Sequence, residues 1–568
     1  MKNMNNDKQT STSTPARLSL EVQGMTCGGC ADHVEKALAA VRGVVQIRVP
    51  DWQSGLVHVE ARDVSPESLV AAVQQAGYSA RIVSEKAPET TGLPQAGDTD
   101  YDLVVIGTGG AGVAGAIRAA ENGFRVAIVE AGTIGGTCVN IGCVPSKTLI
   151  RAAEVAHKAR KNPFEGVHTS FGGVYWPAVR EQKDALVGQL RQQKYIDVLQ
   201  AYENITLIRG RARLDENGDV EIDGQKTLRA GKVLISTGAR PKMLPIPGAE
   251  EVAFLTSTSL MDLDKLPETL LVIGGRAVAL ELGQAFARFG VKVAVLQRSE
   301  RLIPDHEPEL GEALADALSR EGVAVHTGVH IESVRQEKQY KVVVARIDGR
   351  SREFRADQIL MATGNTPNTE DLGLDAAGVA RDKHGFIEVD ATMRTSNAKI
   401  YAAGDVTTLP KFVYIAAACG GIAAENALSG TGREFDASVL PAVIFTDPQV
   451  ATVGMTEARA RTEGYAVKTS ILPLEYVPRA IAARETRGLI KLVADAASDR
   501  LLGAHVLAAE AGEMIQTAAL AIKFGREHGF TVAALRDMLF PYLTQVEGIK
   551  LAAQTFDKDV ATLSCCAG

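Results

Sequence analysis

Polar residues dominate the chain up to about Pro15, after which apolar and polar positions begin to alternate. Leu18–Val22 reads as a strand, followed by a cysteine-bearing loop and a helix to about Val41. Val44–Val49 and Gly55–Glu60 read as strands, Ser65-Pro66-Glu67 as a helix start, and Tyr78–Val83 as a final strand. The next stretch, SEKAPETTGLPQAGD, has no apolar period and predicts a flexible linker. Beyond it the texture changes. Asp102–Ile106 is the continuous apolar run of a buried parallel strand, and it leads into Gly107-Thr-Gly-Gly-Ala-Gly112 and an alanine-rich helix. Arg125–Val129 is the strand that follows. The same succession returns at Leu270–Ile273, Gly274-Gly-Arg-Ala-Val-Ala279, a helix, and Val291–Leu296. From about Pro441 alternating strands give way to helices, which predicts a separate α+β domain.

The order βαββαβ in the first segment is the ferredoxin-like arrangement. Two later βαβ units, each with a glycine turn between strand and helix, predict two Rossmann-type domains and two dinucleotides. The chain has 568 residues, enough for about four domains. Its net charge of −7 gives no support to a nucleic-acid partner. No apolar run is long enough for membrane insertion, and the polar N-terminus lacks the apolar core of a signal peptide, so a cytoplasmic protein is expected. Of seven cysteines, six fall in three close pairs: Cys27 and Cys30, Cys138 and Cys143, Cys565 and Cys566. In a reducing compartment such pairs point to redox or metal chemistry. Cys419 stands alone and reads as a core thiol.

Gly107, Gly109 and Gly112 form G-x-G-x-x-G: one glycine for the turn, one for close approach of a pyrophosphate to a helix N-terminus, one for helix–strand packing. Glu130 closes the next strand, where an acid takes ribose hydroxyls. In the second unit Gly274 keeps the first position, but Arg276 and Ala279 replace the other glycines. Arg276 either crowds the pyrophosphate or contacts it. The following strand ends in Gln297-Arg298 rather than an acid, which favours NADPH over NADH, because an arginine can pair with the 2′-phosphate.

Between these units lies Gly135-Gly-Thr-Cys138-Val-Asn-Ile-Gly-Cys143-Val-Pro-Ser-Lys147. Two cysteines at this spacing can bridge and reopen across one helical turn, and a helix N-terminus with Lys147 favours the thiolate. A structural disulfide is the plainer alternative. The segment resembles the redox-active motif of the pyridine nucleotide–disulfide oxidoreductases, as do Ser236-Thr-Gly238, Ala362-Thr-Gly364 and Tyr401-Ala-Ala-Gly404-Asp405. The resemblance implies FAD in the first site, with Gly136, Thr137 and Gly238 beside it and Asp405 on its ribityl chain. It also implies Lys147 near the flavin's reactive nitrogen, paired with Glu281, and a homodimer whose C-terminal domain completes the partner's active site.

Disulfide-reducing members carry a His-Pro motif near the C-terminus, whose histidine protonates the leaving thiolate. Here the run is Leu539-Phe540-Pro541-Tyr542, and Glu547 lies too far along to be a dyad partner for that position. The chain ends instead in Leu563-Ser-Cys565-Cys566-Ala-Gly568, two mobile thiols suited to a soft metal. This pattern resembles the mercuric reductase branch of the family, in which tail thiols receive Hg(II) and pass it to the inner pair. By that resemblance Tyr195 and Tyr542 flank the inner metal position. Gly24-Met25-Thr26-Cys27-Gly-Gly-Cys30 is similar to the heavy-metal-associated domain, in which two thiols bind a soft ion in near-linear geometry.

The expected organisation is a polar tail (1–16), a heavy-metal-associated domain (17–83) and a linker (84–99). An FAD domain follows in two parts (100–250 and 371–440) around an NADPH domain (251–370), and a dimerisation domain with its Cys-Cys tail ends the chain (441–568). The expected activity is NADPH-dependent reduction of Hg(II), presented on small thiols or by a metal-transfer protein. Rival readings are a disulfide reductase of the same family and a soft-metal chaperone with a vestigial reductase body.

Overall fold

The computed structural model describes residues 16–25, 28–49, 55–61, 64–83 and 99–562. Cys27, Cys565, Cys566, the polar tail and most of the linker lie outside these. The chain divides into two compact units, 1–95 and 96–568. Among the described residues no helix is long and apolar enough to cross a membrane.

In the first unit, alternation decides the fold. Leu20 and Val22 point to one face of the strand Ala16–Gln23, as Val57 and Val59 do on Leu56–Ala61. The strands are antiparallel in the order Val44–Arg48, Leu56–Ala61, Ala16–Gln23, Ser79–Val83. Helices Gly28–Ala39 and Pro66–Gln75 cover that face with Val34, Leu38, Leu69 and Val73. The second helix starts where Ser65 caps it, its side chain accepting the Ser68 N–H, with Pro66 in the first turn.

In the second unit, five parallel strands lie in the order Ile400–Ala402, Ala230–Ile235, Tyr101–Ile106, Val126–Glu130, Ile205–Arg209. The late strand Ile400–Ala402 returns the chain to the first sheet after the second dinucleotide unit. That unit has a four-stranded parallel sheet: Ala324–His326, Lys292–Leu296, Thr269–Ile273, Gln358–Met361. The C-terminal sheet is antiparallel, with Ala442–Ile444 and Val467–Pro473 at its edges. Helices Ala511–His528 and Glu547–Gln554 contribute Met514, Ile515, Ala518, Ile549 and Ala552 to the core beside it. Two small antiparallel sheets, each of three strands, lie within residues 212–228 and 330–356.

Candidate active site

The strand Tyr101–Ile106 turns at Gly107, whose φ of 105° is open to glycine. A Cβ there would stand 2.5 Å from the Ser236 carbonyl oxygen, and one on Gly112 would strike the Gly107 carbonyl. Gly109 is different. It caps the helix Gly110–Glu121 without a side-chain bond, and a Cβ on it would meet only the Gly136 Cα, at 4.0 Å. The helix N-terminus is therefore open to an anion. Glu130 Oε2 accepts both the N–H (3.0 Å) and the hydroxyl of Thr108, and Oε1 accepts the Gly132 N–H (2.7 Å), which leaves acceptor capacity on Oε1. The Thr108 hydroxyl accepts the Gly135 N–H at 3.1 Å. Gly136 lies so close to the glycine loop that a Cβ would come within 2.6 Å of the Gly109 Cα. An open helix end, a carboxylate and glycines in close approach fit the pyrophosphate and ribose of FAD.

Those same contacts bring the cysteine segment to the cradle. Cys138 lies in the helix Gly136–Ile141, the backbone breaks at Gly142, and Cys143 begins the helix Cys143–Arg160. The pair thus straddles a helix break rather than one continuous turn, which corrects the simpler expectation. The break needs glycine: a Cβ at position 142 would sit 3.0 Å from the Thr137 carbonyl oxygen and 3.3 Å from the Cys138 Cα. The break puts Cys143 in the first turn of an 18-residue helix, where the dipole favours an anion.

Cys138 and Cys143 are half-buried free thiols, close enough for each to shift the other's titration. Interaction with Cys138, opposed by burial and supported by the Lys147 charge, holds the Cys143 thiol down to about 7. The same interaction and burial push Cys138 up. These directions favour Cys143 over Cys138 as the thiolate. Asp405 is near enough for its charge to act on Cys143, and burial raises the Asp405 carboxyl against the pull of Lys411. Tyr195 sits on a π-helical turn, Gln192–Ile196, between the helices Trp176–Arg191 and Asp197–Gln200. Its ring packs over Gly135, and burial, then the two cysteines, raise its phenol.

Lys147 Nζ donates to Glu281 Oε2 at 2.7 Å and lies 4.7 Å from the Phe445 ring centroid. Glu281, whose side chain is 6% exposed, accepts the Phe445 N–H on its other oxygen (2.9 Å). One and two turns further along the helix Ala277–Arg288, Gln284 exchanges two hydrogen bonds with the Asp447 backbone, and Arg288 pairs with Glu321 and Asp447. Burial disfavours charge on Glu321, yet Arg288 and Arg487 hold its carboxyl down to about 2. One helix face thus ties the cysteine helix to the C-terminal domain. The resemblance implied the Lys147–Glu281 pair; the contacts of Gln284, Arg288 and Glu321 carry no sequence signal, because those residues are scattered through the chain.

In the second fingerprint Gly274 has φ 125°, and Ala279 is fully buried. A Cβ on Gly274 would lie 3.7 Å from the Ala279 methyl, an ordinary contact, so alanine serves where a third glycine was expected. Arg276 is the N-cap of the helix and makes no capping bond, so this helix end is also open to a dinucleotide phosphate. Arg298 is exposed, and its charge acts on Arg276.

The structure brings together Cys138, Cys143, Lys147, Glu281, Tyr195 and Asp405. Tyr542, 61% exposed, is carried on a loop of the C-terminal domain with Leu539, which is 94% exposed. Phe540 packs on that domain's core, and Glu547 is buried at the start of the last long helix. In the N-terminal unit Cys30 lies in the first turn of Gly28–Ala39.

Residues 101–420 match the pyridine nucleotide-disulphide oxidoreductase family, 440–553 its dimerisation domain and 19–79 the heavy-metal-associated domain. A mercuric reductase of Lysinibacillus sphaericus is 46% identical over 97% of this chain and 100% of its own. One from Shigella flexneri is 44% identical over 97% and 100%. Among solved structures, the HOCl-induced flavoprotein disulfide reductase RclA from Escherichia coli superposes with a TM-score of 0.70 at 30% identity, covering 80% of this chain and 99% of its own. LpdA from Mycobacterium tuberculosis does so with a TM-score of 0.70 at 28% identity, covering 80% and 99%. With glycine cradle, cysteine pair and dimerisation domain in one chain, and identity to such relatives along nearly its whole length, the chain belongs to the pyridine nucleotide-disulphide oxidoreductases and, within them, to the mercuric reductases.

Proposed function

We propose that this chain reduces Hg(II) to volatile Hg(0) with NADPH, using FAD and the Cys138–Cys143 pair. The observation that carries the reading is the Cys138–Cys143 pair beside Lys147, with the Cys143 thiol held down to about 7, in a chain with Phe540 where a disulfide reductase needs histidine. NADPH gives up a hydride, Hg(II) takes both electrons, and the products are NADP⁺, a proton and Hg(0). FAD, when bound, supplies two-electron transfer between NADPH and the thiol-held metal.

The chain's own residues do the rest. Gly107, Gly109, Gly112 and Gly136 let the FAD pyrophosphate reach backbone N–H groups, Glu130 receives the ribose, and Thr137, Gly238 and Asp405 hold the remainder. Cys143 and Cys138 bind the soft ion through two sulfurs, losing the thiol proton to solvent. Lys147, fixed by Glu281, keeps a positive charge beside Cys143. Tyr195, and Tyr542 from a partner subunit, enclose the bound ion. Reduction of the bound ion breaks no S–S bond, and the thiolates it frees take their protons back from solvent, so the reaction does not need a histidine where Phe540 stands.

Supply of metal follows the same chemistry. Cys565 and Cys566 take Hg(II) from small thiols and pass it to the inner pair across a homodimer. Cys27 and Cys30 accept it from a metal-transfer protein in the cytoplasm and raise its local concentration through the 84–99 tether. Truncation before Gly97 should leave reduction intact in excess small thiol, whereas replacing both tail cysteines by alanine should slow it at least about tenfold when Hg(II) arrives on bulky thiols. Steady-state assays of both variants at limiting and excess thiol check this. A truncated enzyme that is dead in excess small thiol would contradict it.

Arg298 is proposed to read the 2′-phosphate. A charge-assisted contact contributes about 1.5–3 kcal/mol, less when solvent screens it. Arg298→Ala should raise KM for NADPH about tenfold and hardly change that for NADH. Equal effects on both would place it elsewhere. The overall reading is tested by NADPH consumption with Hg(II) in excess thiol against consumption with glutathione disulfide: only the first should be rapid.

A further inference from the structure

Position 276 of the second fingerprint normally needs no side chain, yet here it carries an arginine. Arg276 caps a 12-residue helix in extended conformation (φ −113°, ψ −174°). Its guanidinium is paired with Asp305, Nη2 donating to Oδ1 at 3.1 Å, and both side chains are about 60% exposed, at 61% and 58%. An ion pair so exposed is readily exchanged for a stronger anion. The loop that presents Asp305 is nonetheless held firmly. The Ile303 N–H donates to the Gly275 carbonyl at 2.9 Å, and Ile303 adopts φ 40°, a region that β-branched residues avoid. The His306 N–H in turn donates to the Ile303 carbonyl at 3.0 Å, and its buried Nδ1 has no partner among the described residues. The strained turn thus fixes an acid opposite the arginine at the mouth of the glycine loop. Burial and the neighbouring Arg298 charge both weigh against the Arg276 cation, so an added anion between the two arginines would relieve their repulsion.

We infer that Arg276 and Asp305 form a charge latch on the dinucleotide: Asp305 holds Arg276 in the free enzyme, and the incoming pyrophosphate takes Arg276 from it. The inference rests on reading this unit as the NADPH site. Arg276 then reads the pyrophosphate, common to both nicotinamide dinucleotides, while Arg298 reads the 2′-phosphate. Asp305 competes with the ligand and weakens binding in wild type.

The test is calorimetric titration of oxidised, full-length holoenzyme with three probes: NADP⁺, ADP-ribose (pyrophosphate but no 2′-phosphate) and 2′-AMP (the reverse). Arg276→Gln should weaken ADP-ribose binding about fivefold or more and change 2′-AMP binding less than about twofold. Asp305→Asn should tighten ADP-ribose binding about threefold, and this gain should vanish in the Arg276→Gln background. The latch is overturned if Arg276→Gln tightens binding, which would mean the side chain only crowds the site. It is equally overturned if Arg276→Gln weakens both fragments alike, or if Asp305→Asn has no effect. Wild type that fails to bind NADP⁺ would instead overturn the dinucleotide reading, and the latch with it.

Discussion

Cys143→Ala is expected to lower Hg(II)-dependent NADPH oxidation at least about a thousandfold, because it removes the thiolate and a metal ligand together. The loss should be accompanied by a spectral change. In wild type a Cys143 thiolate beside the flavin should give a long-wavelength absorption band in the two-electron-reduced enzyme. Cys143 is held down to about 7, so the thiolate, and with it the band, should be present above that pH and fade as pH falls through it. Cys138→Ala removes the neighbouring thiol that lowers Cys143. Its band should survive but titrate at higher pH, and its metal turnover should be lost for want of a second sulfur. A band that persists in Cys143→Ala would reverse the roles of the two cysteines.

The second large effect is expected at Lys147. Lys147→Met removes the cation from beside Cys143, so the band midpoint should move to higher pH. It also leaves Glu281, 6% exposed, with only the Phe445 N–H. Breaking a buried pair costs about 3–5 kcal/mol, but Lys147 is 34% exposed, so about 1–3 kcal/mol is expected after solvent screening. Denaturant unfolding of the holoenzyme measures that loss. In the double variant Lys147→Met/Glu281→Gln the buried charge is gone, and stability should largely return while the band stays shifted. If both properties recover together, Lys147 acts on Cys143 only through the clamp.

These effects also separate what the sequence carried from what it could not. The Gly107-Gly109-Gly112 turn, the cysteine spacing and the strand–helix alternation are local, and local pattern is what periodicity reports. Lys147 and Glu281 lie 134 residues apart, and only the resemblance pointed to their pairing. The Arg288–Glu321–Arg487 network has no linear signal at all, nor has the π-turn that re-aims Tyr195. Asp305 is an ordinary loop acid until the turn at Ile303 sets it against Arg276. The break at Gly142 was hidden for a different reason: a glycine between two cysteines reads equally well as a helix interior or an end.

The central claim is that electrons from NADPH end on a metal ion held by two sulfurs. The most direct test is product stoichiometry under anaerobic conditions, with Hg(II) in excess small thiol and Hg(0) swept out and quantified as vapour. The account predicts one mercury atom released for each NADPH oxidised, in wild type and in the enzyme truncated before Gly97. NADPH oxidation without mercury vapour, or vapour released at an undiminished rate by Cys143→Ala, would contradict it.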